Sequence, residues 1–566
     1  MNQAKLADMI RDIKSQFDLE PEREAKEEKK TQSQILVNLA SDMYLFYDEQ
    51  GRTYARVMVN DHYEIWPIRS SDFKHVLTFR YLNLSKDRDK APGSQAMEDA
   101  LKVLEAKARI EGKKERVFVR VAEADEAIYL DLCNEQWEVV EITKKGWRIL
   151  NGSPVYFRRS KTMEELPRPE KGASIELLKR YINYRNEPDF KLIIAWLLST
   201  FKNSPFPILN LQGEQGSAKS TTTKVLKSLV DPSSLPLRAL PKDERDLAIA
   251  ANQTWVLAFD NLSGLSNVMS DAFCKLSTGG GLATRKLYTD DEEAVFNIMR
   301  PVILNGIDDI AKRQDLLDRS IILNLPPIDE EKRQDEKTFW GNFKQARAGI
   351  LGALCDIVSV ALRELPDTKL TVKPRMADFA LWVTAAEKAL EWTPGEFIQI
   401  YTSNRDEAIE QGLEVDPFGS AILQLLKQEG VFIGNATQLL EEAANFTDER
   451  TVKSKAWPTS RAVRNRLRRI APALRNKGIL YNEWENRKHR TLRLEVIDKL
   501  SSLASPTSPS PSLSYFRGDD MVTMGDDVKK ISSPNEPHDI KESDVSDDND
   551  DFFTNLSNNE DEDLII

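Results

Sequence analysis

Apolar residues along this chain follow three rhythms, and each predicts a different kind of structure. Over 206–211, 255–259 and 302–305 they form short unbroken runs without alternation, the pattern of strands buried on both faces in a parallel sheet. Over 34–165 the pattern is mixed. Helical spacing marks 33–41, 71–81 and 94–110, the last with Ala96, Leu101, Leu104 and Ala108 on one face, and strands are predicted at 117–121, 127–132, 137–142 and 146–149. Asp48 to Gly51 reads as a hairpin turn, and Pro167, Pro169 and Gly172 mark the linker after this region. The third rhythm lies in 416–497. A helix is predicted over 460–474, capped by Ser460, with Val463, Leu467, Ile470 and Leu474 as its apolar stripe and arginines on the other face. Two strands around a basic turn come after it.

These rhythms divide the chain into a charged helical lead-in (1–33), an α+β accessory domain (34–165) and an α/β core (174–330). A helical segment (331–410), a helix-plus-hairpin unit (416–497) and a tail (501–566) complete it. The tail shifts to Ser/Pro and then Asp/Asn/Ser, a composition that cannot bury enough apolar surface to fold alone, so disorder is expected there.

Charge sharpens this division. The net charge of −12 hides two opposed blocks: 16 acids against 3 bases from Asp519 onward, and 14 Lys/Arg against 2 acids from Arg450 to Arg493. Three scattered cysteines and four histidines argue against a disulfide framework or a zinc site and fit a reducing cytoplasm. No apolar run approaches the ~18 residues that a membrane span needs, and the lead-in lacks the apolar core of a signal peptide.

The sharpest chemistry is the run Gly213, Glu214, Gln215, Gly216, Ser217, Ala218, Lys219, Ser220, Thr221, placed between a predicted strand and a predicted helix. Glycines let backbone amides turn toward phosphate oxygens, and a helix N-terminus adds partial positive charge at the same spot. Lys219 suits the β- and γ-phosphates of ATP, and the Ser220 hydroxyl suits Mg2+. Ala218 departs from the usual glycine. About 40 residues on, a buried run ends in Asp260 and Asn261; Asp260 would hold the magnesium shell, while Asn261 stands where a second acid is usual. A third run ends in Asn305, placed to meet a γ-phosphate or a lytic water. Arg319 is the candidate for completing a neighbouring subunit's site, with Arg313 competing for that role.

Taken in order, the Gly213–Ser220 loop, Phe259-Asp260-Asn261, Leu276 to Gly281, Leu304-Asn305-Gly306 and Asp318-Arg319-Ser320 resemble the AAA+ motors of phage and mobile-element replication proteins. They are similar to superfamily 3 helicases and primase–helicase ATPases. The resemblance is good over about 206–327 and loose on the flanks. It implies an α/β AAA+ P-loop core, Asn305 as sensor, Arg319 as finger, and a homo-hexameric ring around DNA. It also implies a pore hairpin between Gly281 and Pro301, with Arg285, Lys286 and Tyr288 as strand contacts and an acidic tip at Asp290 to Glu293.

The 416–497 pattern reads as a winged helix, with Arg461, Arg464 and Arg468 on the recognition helix and Arg487, Lys488 and Arg490 on the wing. The acidic tail with its apolar Leu564-Ile565-Ile566 end suits recruitment of a replication partner or shielding of the basic unit. The 34–165 domain carries no paired carboxylates of a polymerase. The expected function is an ATP-dependent DNA helicase or translocase of a phage or mobile element. The alternative is a DNA-binding ATPase that switches assembly without unwinding.

Overall fold

The computed structural model describes residues 30–84, 90–285, 293–296, 298–307, 310, 313–486 and 489–497. Most of the expected lead-in and all of the expected tail lie outside them. The chain opens with α1 (Gln32–Asn38), where Thr31 and Gln34 cap each other's backbone amides. Next is an antiparallel sheet, β1 (Tyr44–Tyr47), β2 (Thr53–Val59) and β3 (His62–Pro67), covered by α2 (Ser71–Leu82) and α3 (Ser94–Ile110). Leu36, Val57, Phe73, Leu101 and Leu104 form that core. The expected turn is present: Asp48 accepts the amides of Gln50 and Arg52, and Gly51 takes φ +78°.

A second antiparallel sheet runs in order through β4 (Val121–Ala124), β5 (Ala127–Asp131), β6 (Glu138–Thr143) and β7 (Gly146–Asn151). It does not share the first sheet's core. Ile128, Leu130, Val140 and Ile142 pack instead into the large central core, which welds this sheet to the parallel one and its helices.

Four parallel strands form the centre, in the order β9 (Leu257–Leu262), β12 (Val302–Gly306), β8 (Ile208–Gln212), β13 (Ser320–Asn324). Their unbroken apolar runs reflect cover on both faces, by α4 (Glu187–Ser199), α5 (Lys219–Val230), α6 (Glu244–Gln253) and α7 (Asn267–Thr278) among others. Between β9 and β12 the chain makes an antiparallel hairpin, β10 (Leu282–Arg285) with β11 (Glu293–Phe296). Its side chains, and all of 286–292, lie outside the described residues; Lys286, Tyr288 and most of the expected acidic tip fall there.

Beyond the sheet come a four-residue helix, α8 (Gln314–Leu317), and then α9 (Glu336–Glu364), α10 (Ala377–Ala386) and α11 (Glu396–Val415). Helix α9 joins the central core to the second sheet: Trp147 donates to Asp356 (2.8 Å) and Ser359 to the Thr143 carbonyl (2.6 Å). A buried polar knot does the same on another side. The Asp231 carboxylate accepts from Arg120 (3.0 Å), Lys227 (3.1 Å), Thr254 (2.8 Å) and the amides of Trp255 and Val256. Burial pushes its pKa up, but Lys227 and Arg120 outweigh it and hold the carboxyl well below the usual range.

The C-terminal unit has its own core around Phe418, Ile422, Leu439, Leu467 and Leu494. Its order is α12 (Pro417–Glu429), β14 (Val431–Gly434), α13 (Ala436–Ala444), α14 (Glu449–Val452), α15 (Val463–Asn476), β15 (Ile479–Asn486) and β16 (His489–Val496), with β16 central in the sheet. Helix α15 starts later than the sequence predicts, and Ser460 does not cap it. The Thr459 carbonyl takes the amides of Ala462 and Val463, so a turn occupies the expected first residues. No helix among the described residues is long and apolar enough to cross a membrane.

Candidate functional site

Strand β8 ends at Gln212, and the chain turns through 213–218 into α5. Gly213 lies at φ +152°, and a Cβ there would stand 2.5 Å from the Leu325 carbonyl oxygen. Only glycine fits. Gly216 takes φ +85°, and Ala218, at φ +54°, is left-handed directly before the helix, a cost of ~1–2 kcal/mol for a residue with a side chain. Glu214, Gln215 and Gly216 are exposed, whereas Ser217 is buried and donates to the Glu214 carbonyl (2.8 Å). The Lys219 ammonium folds back over the loop to the carbonyls of Gly213 (2.7 Å) and Glu214 (2.8 Å). Burial pulls its pKa down and the Asp260 charge pushes it back up. Thr221 is half-buried on the first turn of α5.

Asp260 lies not on the neighbouring strand but on the next but one, since β12 runs between β8 and β9. Contact is still made: Ser220 Oγ stands 3.0 Å from both Asp260 carboxylate oxygens. A bulge between Phe259 and Leu262 makes this possible by lifting Asp260 and Asn261 out of register. Asn261 adopts φ +56°, which asparagine tolerates well. Its amide donates to Asp260 (2.9 Å) and to Asn305 Oδ1 (3.0 Å). Asn305 is wholly buried, and its Nδ2 donates to Thr223 (3.0 Å), whose hydroxyl donates to the Lys219 carbonyl (2.9 Å). Both ends of the Asn305 amide are thus engaged within the protein. It acts as a strut between the bulge and the helix that carries Lys219 and Ser220.

Sequence reasoning missed Asn183. Its Nδ2 donates to the carbonyls of Ser217 (2.9 Å) and Pro326 (2.7 Å), and its amide donates to Thr222 Oγ1 (3.2 Å). It ties the C-terminal end of the loop and the first turn of α5 to the segment that follows β13. No local pattern marks it.

Arg319 and Arg313 sit on the far side of the sheet. Ser320 pairs with Ile208, so Arg319 stands about 16 Å of strand away from its own loop. Arg313 is held by Asp271 (2.8 Å) and Asp315 (3.1 Å). Arg319 donates only to the Asp315 backbone carbonyl (2.7 Å), leaves Nε buried without a partner, and has no ion pair among the described residues.

At the C-terminal unit, Arg461 is exposed in the turn before α15, Arg464 is half-buried on α15, and Arg469 is exposed. Arg468 is bound to Glu483 on β15, and Arg466 to Asp416. The backbones of Arg285 and Arg490 are placed on β10 and β16, but their side chains, like Arg487 and Lys488, lie outside the described residues.

The donor set fits Mg2+ and a nucleotide. Ser220 and Asp260 converge as hard oxygen ligands, and the glycine-dependent loop leaves no room for a side chain at Gly213. Among the described residues no group of three or more His, Cys, Asp or Glu is arranged to hold a metal, so protein atoms alone would not cage the ion.

With a mixed α/β fold, a glycine-rich loop at a strand-to-helix turn and a basic C-terminal unit in view, comparison with known families assigns the class: the chain is a replication protein of a mobile element. Residues 175–395 match the Actinomycete integrative conjugative element replication protein family, and residues 418–510 match the AICE RepA C-terminal domain. Together the two matches span more than half of the chain. No curated protein matches it. Among solved structures, the A form apo structure of the NrS-1 C-terminal region is similar at 11% identity and TM-score 0.36, over 83% of this chain and all of that one. A second structure of that region (305–718) gives 10% identity and TM-score 0.33, over 82% of this chain and 98% of that one.

Proposed function

We propose that the chain is an ATP-hydrolysing AAA+ motor that works on DNA during replication of its element, as an oligomeric ring. The observation that carries this is the Ser220–Asp260 contact beside a loop on which only glycine fits at 213. In this reading the amides of 213–221 and Lys219 hold the ATP phosphates, and Ser220 and Asp260 hold Mg2+, which supplies charge neutralisation at the transferring phosphoryl group. Lys219 already lies over the loop and needs only to exchange carbonyl oxygens for phosphate oxygens. Asn305, through Asn261 and Thr223, fixes where Asp260 and Ser220 stand.

Arg319 supports the oligomer. It cannot reach its own loop, has no carboxylate partner among the described residues, and suits stabilisation of charge on a partner subunit's nucleotide. Arg313, neutralised by two acids, suits that role less. In the C-terminal unit the order helix, strand, three helices, hairpin supports a winged helix, with Arg461, Arg464 and Arg469 offered to the DNA backbone.

The test is unwinding of a forked duplex by the full chain with ATP, read beside ATP hydrolysis, for wild type and Lys219→Ala. Strand separation lost in the variant is the expected result. DNA-stimulated hydrolysis without separation would mean a switch rather than a helicase. Absence of hydrolysis in the wild type would overturn the reading.

A further inference from the structure

A cavity of about 380 Å³ lies between the first antiparallel sheet and the central core, within the size range of small-ligand sites. Its walls carry four arginines, Arg52, Arg116, Arg158 and Arg300, against two carboxylates, Asp48 and Glu49. Glu49 is exposed, and buried Asp48 is held by Arg52 (2.6 Å) and the Tyr54 hydroxyl (3.1 Å). Asp231 lies behind the cluster but is already shared by Arg120 and Lys227. Arg158 and Arg300 have no ion pair among the described residues.

Their hydrogen bonds go to neutral acceptors at the end of α6 and, for Arg300, also to the Met299 carbonyl (2.8 Å). Arg300 donates to the carbonyls of Ala251 (2.9 Å) and Thr254 (3.0 Å), and Arg158 donates to the Asn252 carbonyl and to Gln253 Oε1. Capping a helix C-terminus is a sufficient reason for one arginine. It is not sufficient for three, because that terminus carries only about half a negative charge. With Asp48 counted, Arg52, Arg158 and Arg300 keep an excess of roughly +1.5, and the exposed Arg116 and Glu49 offset each other. Burial and then the charge of Arg158 pull the Arg300 pKa down; Asp231 pushes it partly back, and Arg52 adds a smaller downward pull.

The surroundings specify which anion. Arg116 is exposed at the wall, its guanidinium 4.9 Å over the Phe118 ring. Gly279, Met299 and Arg300, which also line the cavity, come from the two segments that flank the β10–β11 hairpin. We infer that this cavity is a second nucleic-acid site, in which Arg52, Arg158 and Arg300 receive one backbone phosphate of a single strand, Arg116 at the rim meets the next phosphate, and Phe118 takes the adjoining base. The inference rests on the DNA-binding part of the proposed function and not on ATP hydrolysis.

The experiment crosslinks a short 4-thiothymidine-substituted single strand to the full chain, maps the adducts by mass spectrometry, and measures affinity against salt for wild type, Arg116→Glu and Arg116→Lys. Arg116 has no buried partner, so the variants should fold, and thermal melting checks that they do. The expected result is an adduct within 116–118 or at Met299. Arg116→Glu should lower affinity at least threefold and flatten the log–log salt slope by about 0.7, one single-strand phosphate contact, with Arg116→Lys recovering most of the loss. Adducts confined to 416–497 would overturn this inference while leaving DNA binding intact; no strand binding at all would overturn both readings. Equal protection by inorganic phosphate or ATP at matched ionic strength would assign the cavity to a free anion and overturn the strand.

Discussion

The loop edge of the parallel sheet and the basic C-terminal unit hold their charged groups in opposite ways. At the loop, each functional side chain is tied to a backbone or side-chain partner: Lys219 to two carbonyls, Ser220 to Asp260, Asn305 to Asn261 and Thr223. On α15 and in the turn before it the arginines divide. Arg466 and Arg468 are taken up by Asp416 and Glu483, whereas Arg461, Arg464 and Arg469 have no carboxylate partner among the described residues. Chemistry built on backbone geometry fixes its residues one by one. Chemistry built on a charged face depends on which cations are left over.

That contrast is broken most directly at Lys219. Lys219→Ala should cost roughly 10³-fold or more in hydrolysis with the fold intact, read by phosphate release and circular dichroism. Next comes the pair across the sheet. Arg319→Ala should lose on the order of 10³-fold and poison wild-type subunits when mixed with them. Arg313→Ala should instead lower thermal stability more than activity, because it leaves Asp271 and Asp315 unpaired. Equal activity losses would remove the distinction between them. At Asn183, replacement by Ala frees the Ser217 and Pro326 carbonyls, and we expect about a tenfold fall in kcat/KM together with ~1–2 kcal/mol of stability.

The charged face gives smaller effects. Arg464→Ala with Arg469→Ala should reduce the log–log salt slope of duplex binding by about 1.8, two phosphate contacts. Arg468→Ala should change it little while loosening α15 from β15, because that guanidinium is already bound to Glu483. A slope that falls equally for Arg468→Ala would show that the ion pair opens on DNA and that the leftover-cation argument is wrong.

Legibility in the sequence divides along the same line. The central strands were legible because their cover on both faces leaves no alternation to misread; 206–211, 255–259 and 302–305 differ from the observed strands by a residue or two at most ends. The loop was legible because glycine placement is a backbone requirement that leaves a local mark. Asn183 was not, since it reaches 34 residues along the chain through a side chain with no periodic signature. Nor was the division among the arginines, because Asp416 and Glu483 meet them only after α15 has packed against its neighbours. The second sheet's attachment to the central core was hidden for the same reason: β5 is buried at every position, and nothing local says which of its faces meets the central core.

The finest test concerns Ala218, which sits at φ +54° where glycine would be unstrained. Left-handed geometry costs a residue with a Cβ ~1–2 kcal/mol, and Ala218→Gly should relieve it. Glycine also widens the unfolded ensemble, which offsets ~0.4–1 kcal/mol of the gain. The net expectation is a stabilisation of about 0.5 kcal/mol, measured by urea unfolding, with hydrolysis unchanged or slightly raised. The sign carries the information. A stabilised variant means that the loop holds its left-handed turn before any nucleotide arrives, so that Lys219 and Ser220 are positioned in advance. A destabilised one means that residue 218 spends its time in an ordinary helical conformation, and that phosphate binding must drive the turn that the free protein lacks.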